Sequence, residues 1–100
     1  MSLKYKEDCP IRRTLRVLGG KWPLLVLFNT QEPIRYGKLK KSIPDISEKM
    51  LIQTLKELQE FNLISRKNYK TIPPKVEYRI TDRGQNALEA LPILIGAVEN

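Results

Sequence analysis

The 100-residue sequence predicts an α+β chain, mostly helical, and three observations carry that prediction. Apolar residues recur at helical spacing in most stretches of the chain. One region, Ile64 to Ile80, changes to the two-residue alternation of a strand pair. Ser47 and Thr81 each stand just before a helical stretch, where a hydroxyl accepts from an orphan N–H of the first turn.

The elements follow in order. Cys9-Pro10 opens the first helix, because proline at the first helical position lacks an N–H that would be unpaired anyway. Ile11, Leu15 and Leu18 form its apolar stripe, with Arg12, Arg13 and Arg16 on the other side. Gly19-Gly20 ends it, and either glycine can take a left-handed cap. "KWPLLVLFN" begins the second helix. Trp22 and Leu24 to Phe28 leave it no polar face, which predicts a central, buried helix. After the "TQEP" loop, Ile34-Arg35-Tyr36 is short and extended. Tyr36 to Ile43 is a short third helix, with Leu39 and Ile43 inward and Lys38, Lys40 and Lys41 outward.

Pro44-Asp45 forces a turn, and Ser47 caps a fourth helix running from about Glu48 to Phe61. Leu51, Leu55 and Leu58 share one face of it, and Lys49, Gln53, Lys56 and Glu60 the opposite face. Asn62 can adopt the left-handed conformation at its end in place of glycine. Strands at Ile64 to Tyr69 and Lys75 to Ile80 follow, with Val76, Tyr78 and Ile80 inward. Pro73-Pro74 ends the pairing between them. Thr81 caps the last helix, whose stripe is Leu88, Leu91, Ile95 and Val98, widened by Ile93 and Leu94. Pro92 kinks or splits it. A helix-turn-helix followed by a β-hairpin is the winged helix-turn-helix arrangement, here a single domain over residues 1–100.

Composition narrows the function. The formal charge is +7, from 18 Lys and Arg against 11 Asp and Glu, which suits an anionic partner, nucleic acid before membrane. The charge is uneven: residues 1–80 hold 17 basic and 8 acidic side chains, net +9, and residues 81–100 hold 1 and 3, net −2. The chain has no histidine, which removes Ser–His–Asp and Cys–His catalysis and every histidine metal site. Its one cysteine, Cys9, excludes an internal disulfide and a CxxC metal pair. No metal and no cofactor is therefore expected. The carboxylates are scattered, so no enzyme is expected. No apolar run suggests a membrane span and no apolar h-region suggests a secretory signal, which points to the cytoplasm.

In a helix-turn-helix the second helix enters the major groove of double-stranded DNA. Gln53 is then the candidate for direct readout, since its amide pairs two-point with adenine. Lys49 meets a guanine or a phosphate, Ser47 a phosphate or a base, and Lys56, further along, a phosphate. Lys67, Lys70 and Lys75 surround the hairpin tip, with Asn68, Tyr69 and Thr71 as donors beside them. Arg35, Lys38 and Lys41 sit around the third helix, where phosphate contacts would fix the docking. Polar residues at this spacing also make an ordinary solvated face, and proline and lysine also protect a hairpin edge. The capped turn before the helix and the basic hairpin after it favour DNA. The alternative is a winged-helix module for protein or RNA, without sequence-specific DNA readout.

Three segments carry a resemblance: "CPIRRTLRVLGGKWPLLVLF", "PIRYGKLKKSIPDISEKMLIQTLKELQEFNLISRK" and "PPKVEYRITDRG". In order and spacing they resemble the HxlR-type transcriptional regulators, relatives of the MarR-like winged-helix proteins, over about residues 9–95. The resemblance implies a small cytoplasmic homodimer that binds operator DNA through helix and wing. It implies Ser47, Lys49 and Gln53 on the reading helix, and Lys70 and Lys75 on the wing. It also implies a dimer interface from the N-terminal helix (Ile11, Leu15) and the C-terminal helix (Leu88, Leu91, Ile95, Val98). Pro23 stands where Thr or Ser is usual, and Asn62-Leu63 where Gly-Leu is common. Some relatives sense oxidants or electrophiles through a cysteine at the position of Cys9. A helix N-terminus and nearby Arg12 and Arg13 favour its thiolate, Asp8 opposes it, and a small buried hydrophobe is the plainer role. No residue pattern identifies a small-molecule effector.

Overall fold

The computed structural model describes residues 9–99. The elements are α1 (Pro10–Leu18), α2 (Pro23–Asn29), α3 (Tyr36–Ser42), α4 (Glu48–Glu60), β1 (Ile64–Asn68), β2 (Val76–Ile80), α5 (Asp82–Glu89) and α6 (Leu91–Glu99). Both expected caps form. Ser47 Oγ accepts from the Met50 N–H at 3.1 Å, and Thr81 Oγ1 accepts from the Gly84 N–H at 3.0 Å.

Asn62 takes φ 57°. The Leu63 N–H then reaches the Leu58 carbonyl at 2.9 Å and the Asn62 N–H reaches that of Gln59 at 3.0 Å. This pair of bonds closes α4 as a Schellman motif, with asparagine in the usual glycine place. At the end of α1 the expectation fails. Gly19 lies in the right-handed region, φ −83°, and no described glycine has positive φ. Gly19 serves close approach instead: a Cβ there would stand 2.5 Å from the Leu15 carbonyl oxygen.

β1 and β2 pair antiparallel, from Ile64 opposite Ile80 to Asn68 opposite Val76. Ile34 adds a one-residue antiparallel bridge to β2 through its bonds with Tyr78 (3.0 and 2.8 Å), which is the extended segment the sequence predicts. Leu27, Leu39, Ile46, Leu51, Leu55, Leu58 and Ile64 centre one buried cluster, closed by Ile80 and Leu88.

One expectation changes here, and at Pro92 the split of the last helix is the alternative that holds. α2 is not wholly buried: Val26 and Leu27 are, while Leu25 and Phe28 face out. The chain has too few elements to wrap a helix that is apolar all round. The C-terminal helix is split between α5 and α6, so Pro92 falls in the first turn of α6, where it breaks no ladder. α6 buries no residue in the protomer.

A candidate nucleic-acid interface

The interface is built on the α3–turn–α4 unit. Leu39, Ile43 and Ile46 are buried and pin the turn to the core, so the α4 leucines face in and its other side faces solvent. Lys49, Gln53 and Lys56 are exposed on that side, and Ser47 is exposed at its start. Gln53 is not idle: its Nε2 donates to Glu57 Oε1 at 3.1 Å. Bidentate pairing with adenine requires that exchange first. Ser47 Oγ is occupied as an acceptor by the cap, which leaves its O–H to donate.

Beside α4, Arg35, Lys38 and Lys41 come together on one groove of about 460 Å³, with Pro33, Ile34, Gly37 and Glu77 completing it. The three cations predicted around the third helix thus share one surface. Glu77 brings a negative charge to its edge, but that carboxylate is already engaged. It accepts from the Tyr69 hydroxyl at 2.7 Å and lies 3.9 Å from Lys75 Nζ. Tyr36, first in α3, has a buried hydroxyl without a hydrogen-bond partner. Burial, then Glu48 and Tyr78, raise its pKa above 10.0, so it stays protonated.

The wing organises two of its cations around one ring. Lys67 Nζ lies 4.6 Å and Lys75 Nζ 4.4 Å from the Tyr69 ring centroid. Tyr69 stands just beyond β1, where its N–H still reaches the Lys75 carbonyl at 2.9 Å. The ring therefore presents both ammonium groups at the base of the tip. The hairpin register brings Tyr69 beside Lys75, and that register was the signal in the sequence for this stack.

Lys70 has φ 52°, and its N–H is held by Asn68 Oδ1 at 2.9 Å. Thr71 also has a partner within the tip. Its hydroxyl donates to the Pro73 carbonyl at 2.9 Å, so it braces the tip, and a phosphate would take that proton only by exchange. The Ile72-Pro73 peptide is cis. One residue of the α4 face escaped sequence reasoning: Ile52, which is exposed among the lysines.

The residues expected at a dimer interface divide. Leu15, Ile95 and Val98 are exposed, and Ile11 and Leu91 are half-buried. Leu88 is 6% exposed and belongs to the core of the chain, so it supports the surface from below. A cleft of about 280 Å³ runs over it, between Phe28 and the Leu91 and Ile95 side chains. Cys9 is buried and caps α1, its Sγ accepting from the Arg12 N–H at 3.4 Å. Among the described residues no group of His, Cys, Asp and Glu could hold a metal ion, and no helix is long and apolar enough to cross a membrane.

Comparison with known proteins agrees with this geometry. The family described as HxlR-like helix-turn-helix matches residues 17–99. The chain is 46% identical over 96 residues to a protein named as the regulatory protein MalR of Fusobacterium mortiferum, covering 94% of this chain and 91% of that one. It superposes on the crystal structure of a MarR-family transcriptional regulator from Porphyromonas gingivalis W83 with a TM-score of 0.78. Identity is 42%, over 98% of this chain and 94% of that one. It also superposes on the redox regulator HypR in its oxidized form, with a TM-score of 0.76 and 33% identity over 91% of this chain and 92% of that one.

Proposed function

The chain belongs to the HxlR-like helix-turn-helix family, and we propose that it is a homodimeric transcriptional regulator that binds a two-fold DNA operator. The observation that carries the reading is the joined surface of α3, α4 and wing. A capped helix with a solvent-facing Lys49–Gln53–Lys56 side stands next to a groove holding Arg35, Lys38 and Lys41. In this reading α4 lies in the major groove. The α3 groove and the wing, through Lys67, Lys70 and Lys75, take backbone phosphates, which position the protein without carrying sequence information. The exposed apolar side chains of α1 and α6 support a dimer that places two such surfaces side by side.

Duplex binding against salt concentration tests this. The log of affinity should fall steeply with the log of salt, with one selected sequence preferred over random duplex. Lys70→Ala should weaken all sequences alike and flatten the salt slope by roughly one unit. Binding without sequence preference would favour a protein- or RNA-interaction module.

A second reading concerns Cys9 and is favoured by its place at the α1 N-cap, where the helix dipole and the Arg12 N–H face the sulfur. We infer that oxidation there alters DNA binding, in parallel with the redox regulator HypR. Cys9→Ser keeps a capping oxygen and should bind DNA as the native chain does, while losing any response to diamide. A response that survives Cys9→Ser would overturn it.

A further inference from the structure

The outward side of α4 contains one apolar side chain that the fold does not use. At 100° per residue, Lys49 and Lys56 fall between Ile52 on one flank and Gln53 on the other, an arc of roughly 100°. The helix draws its core contacts from Leu51, Leu55 and Leu58, which are all buried. Ile52 is 57% exposed. A single exposed isoleucine is ordinary on a protein surface. This one is flanked by two lysines, on the face that the proposed reading turns to DNA.

Its position restricts what can cover it. An occupant drawn by Lys49 and Lys56 is anionic, and it must also offer Ile52 an apolar group. The major groove of a duplex offers one such group among the four standard bases, the C5-methyl of thymine. We propose that Ile52 is a specificity-determining residue that packs on a thymine methyl, next to the base pair addressed by Gln53. The inference rests on the reading that α4 enters the major groove. The pair then makes a joint reader: the amide selects adenine by hydrogen bonds, and the isoleucine selects thymine by contact. A thymine would be favoured over cytosine at that position with no hydrogen bond to it.

The test deletes the methyl group alone. A duplex is selected from a random pool with the full chain, and each thymine is replaced singly by deoxyuridine, which keeps the pairing edge intact. Binding is followed by fluorescence anisotropy. The native chain should lose about fourfold at one thymine per half-site, the equivalent of roughly 0.8 kcal/mol for one buried carbon. Ile52→Ala should bind the thymine and deoxyuridine duplexes equally, and Ile52→Val should keep part of the difference. Gln53→Ala should weaken binding but keep the methyl effect. Circular dichroism checks that the variants are folded, as expected for an exposed position.

Two results overturn the inference while leaving the functional reading intact: sequence-specific binding indifferent to every thymine methyl, or a methyl effect undiminished in Ile52→Ala. A native chain that selects no duplex overturns both, and preferential binding of Ile52 to an acidic protein would give this face another occupant.

Discussion

Gln53 shows how a reading residue is held before it reads. Its amide sits in an i, i+4 hydrogen bond to Glu57, at 3.1 Å and exposed. Water competes for such a bond, so its net worth is only about 0.5–1.5 kcal/mol and exchange for a base edge is accessible. Gln53→Ala should cost roughly 1–3 kcal/mol on the selected duplex and relax preference at one base pair. An equal loss on every sequence would argue against direct readout. Tyr69 makes a second residue-scale case. Its pKa is raised above 10.0, first by the hydrogen bond to Glu77, then by desolvation and by the Glu77 charge. The fold favours the protonated phenol, so the contribution is present below the ordinary tyrosine pKa and is lost as pH rises through the raised one. Glu77→Gln should bring the Tyr69 titration, followed by NMR of the ring, back toward the ordinary range; a midpoint that does not move would mean the bond is absent in solution. Much of this scale was legible. The spacing of Lys49, Gln53 and Lys56 was enough to put them on one face. The engagement of Thr71 with Pro73 was not, because it depends on the path of the tip and not on any periodic pattern.

At the scale of elements, the corner joining α4, β1 and α5 fixes the angle between helix and wing. Thr81 ties it three times: its hydroxyl donates to the Asn62 carbonyl at 2.6 Å and accepts from Gly84, while the Thr81 N–H reaches the Leu63 carbonyl at 3.0 Å. Gly84 lets α5 start against that same carbonyl. A Cβ there would overlap the Leu63 oxygen and stand 2.7 Å from Ile80 Cγ1. Gly84→Ala should therefore destabilise by about 1–3 kcal/mol in chemical denaturation, since a backbone oxygen cannot turn aside as a side chain can. Gly37 is the internal comparison. Beyond its chain neighbours and its own helix backbone, nothing lies within 4 Å of a Cβ built there, in the first turn of α3, so Gly37→Ala should be neutral or stabilising by up to about 1 kcal/mol. Equal losses at both glycines would point to backbone flexibility and away from crowding. The caps and strand register were readable because their signals are local: Ser47, Thr81, Asn62 and the alternation through Ile80. The crowding at Gly84 was not, since its neighbours lie far off in sequence. Nor was the exposure of Leu25 and Phe28, because an all-apolar helix looks the same whether its own protomer or another surface covers it.

For the whole molecule, charge and greasiness are separated along the chain: residues 1–80 carry net +9 and residues 81–100 net −2. The separation is also spatial. α6 leaves the core without burying a residue, and Ile93, Leu94, Ile95 and Val98 all face solvent, Val98 at 82%. The radius of gyration, 15.0 Å, exceeds the ~13 Å of a compact chain of this length. Such a run of apolar side chains needs a covering surface, and the matching candidates are Leu15 on α1 and Leu25 and Phe28 on α2 of a second copy. Removing the chain from Leu91 onward should give monomers in sedimentation velocity. Affinity for a two-fold operator, with half-site centres about one turn (~34 Å) apart or a multiple of it, should fall while weak half-site binding persists. Leu91 also packs on the core, so the cut costs some protomer stability as well. Ile95→Lys with Val98→Lys separates the two effects, because both side chains are largely exposed and cations suit the last turns of a helix. That variant should keep the denaturation midpoint the native chain has at low concentration, where the proposed dimer would be dissociated, and should stay monomeric at concentrations where the native chain sediments as a dimer. If it remains a dimer, α6 is not the contact, and the exposed stripe of α2 becomes the surface to alter next.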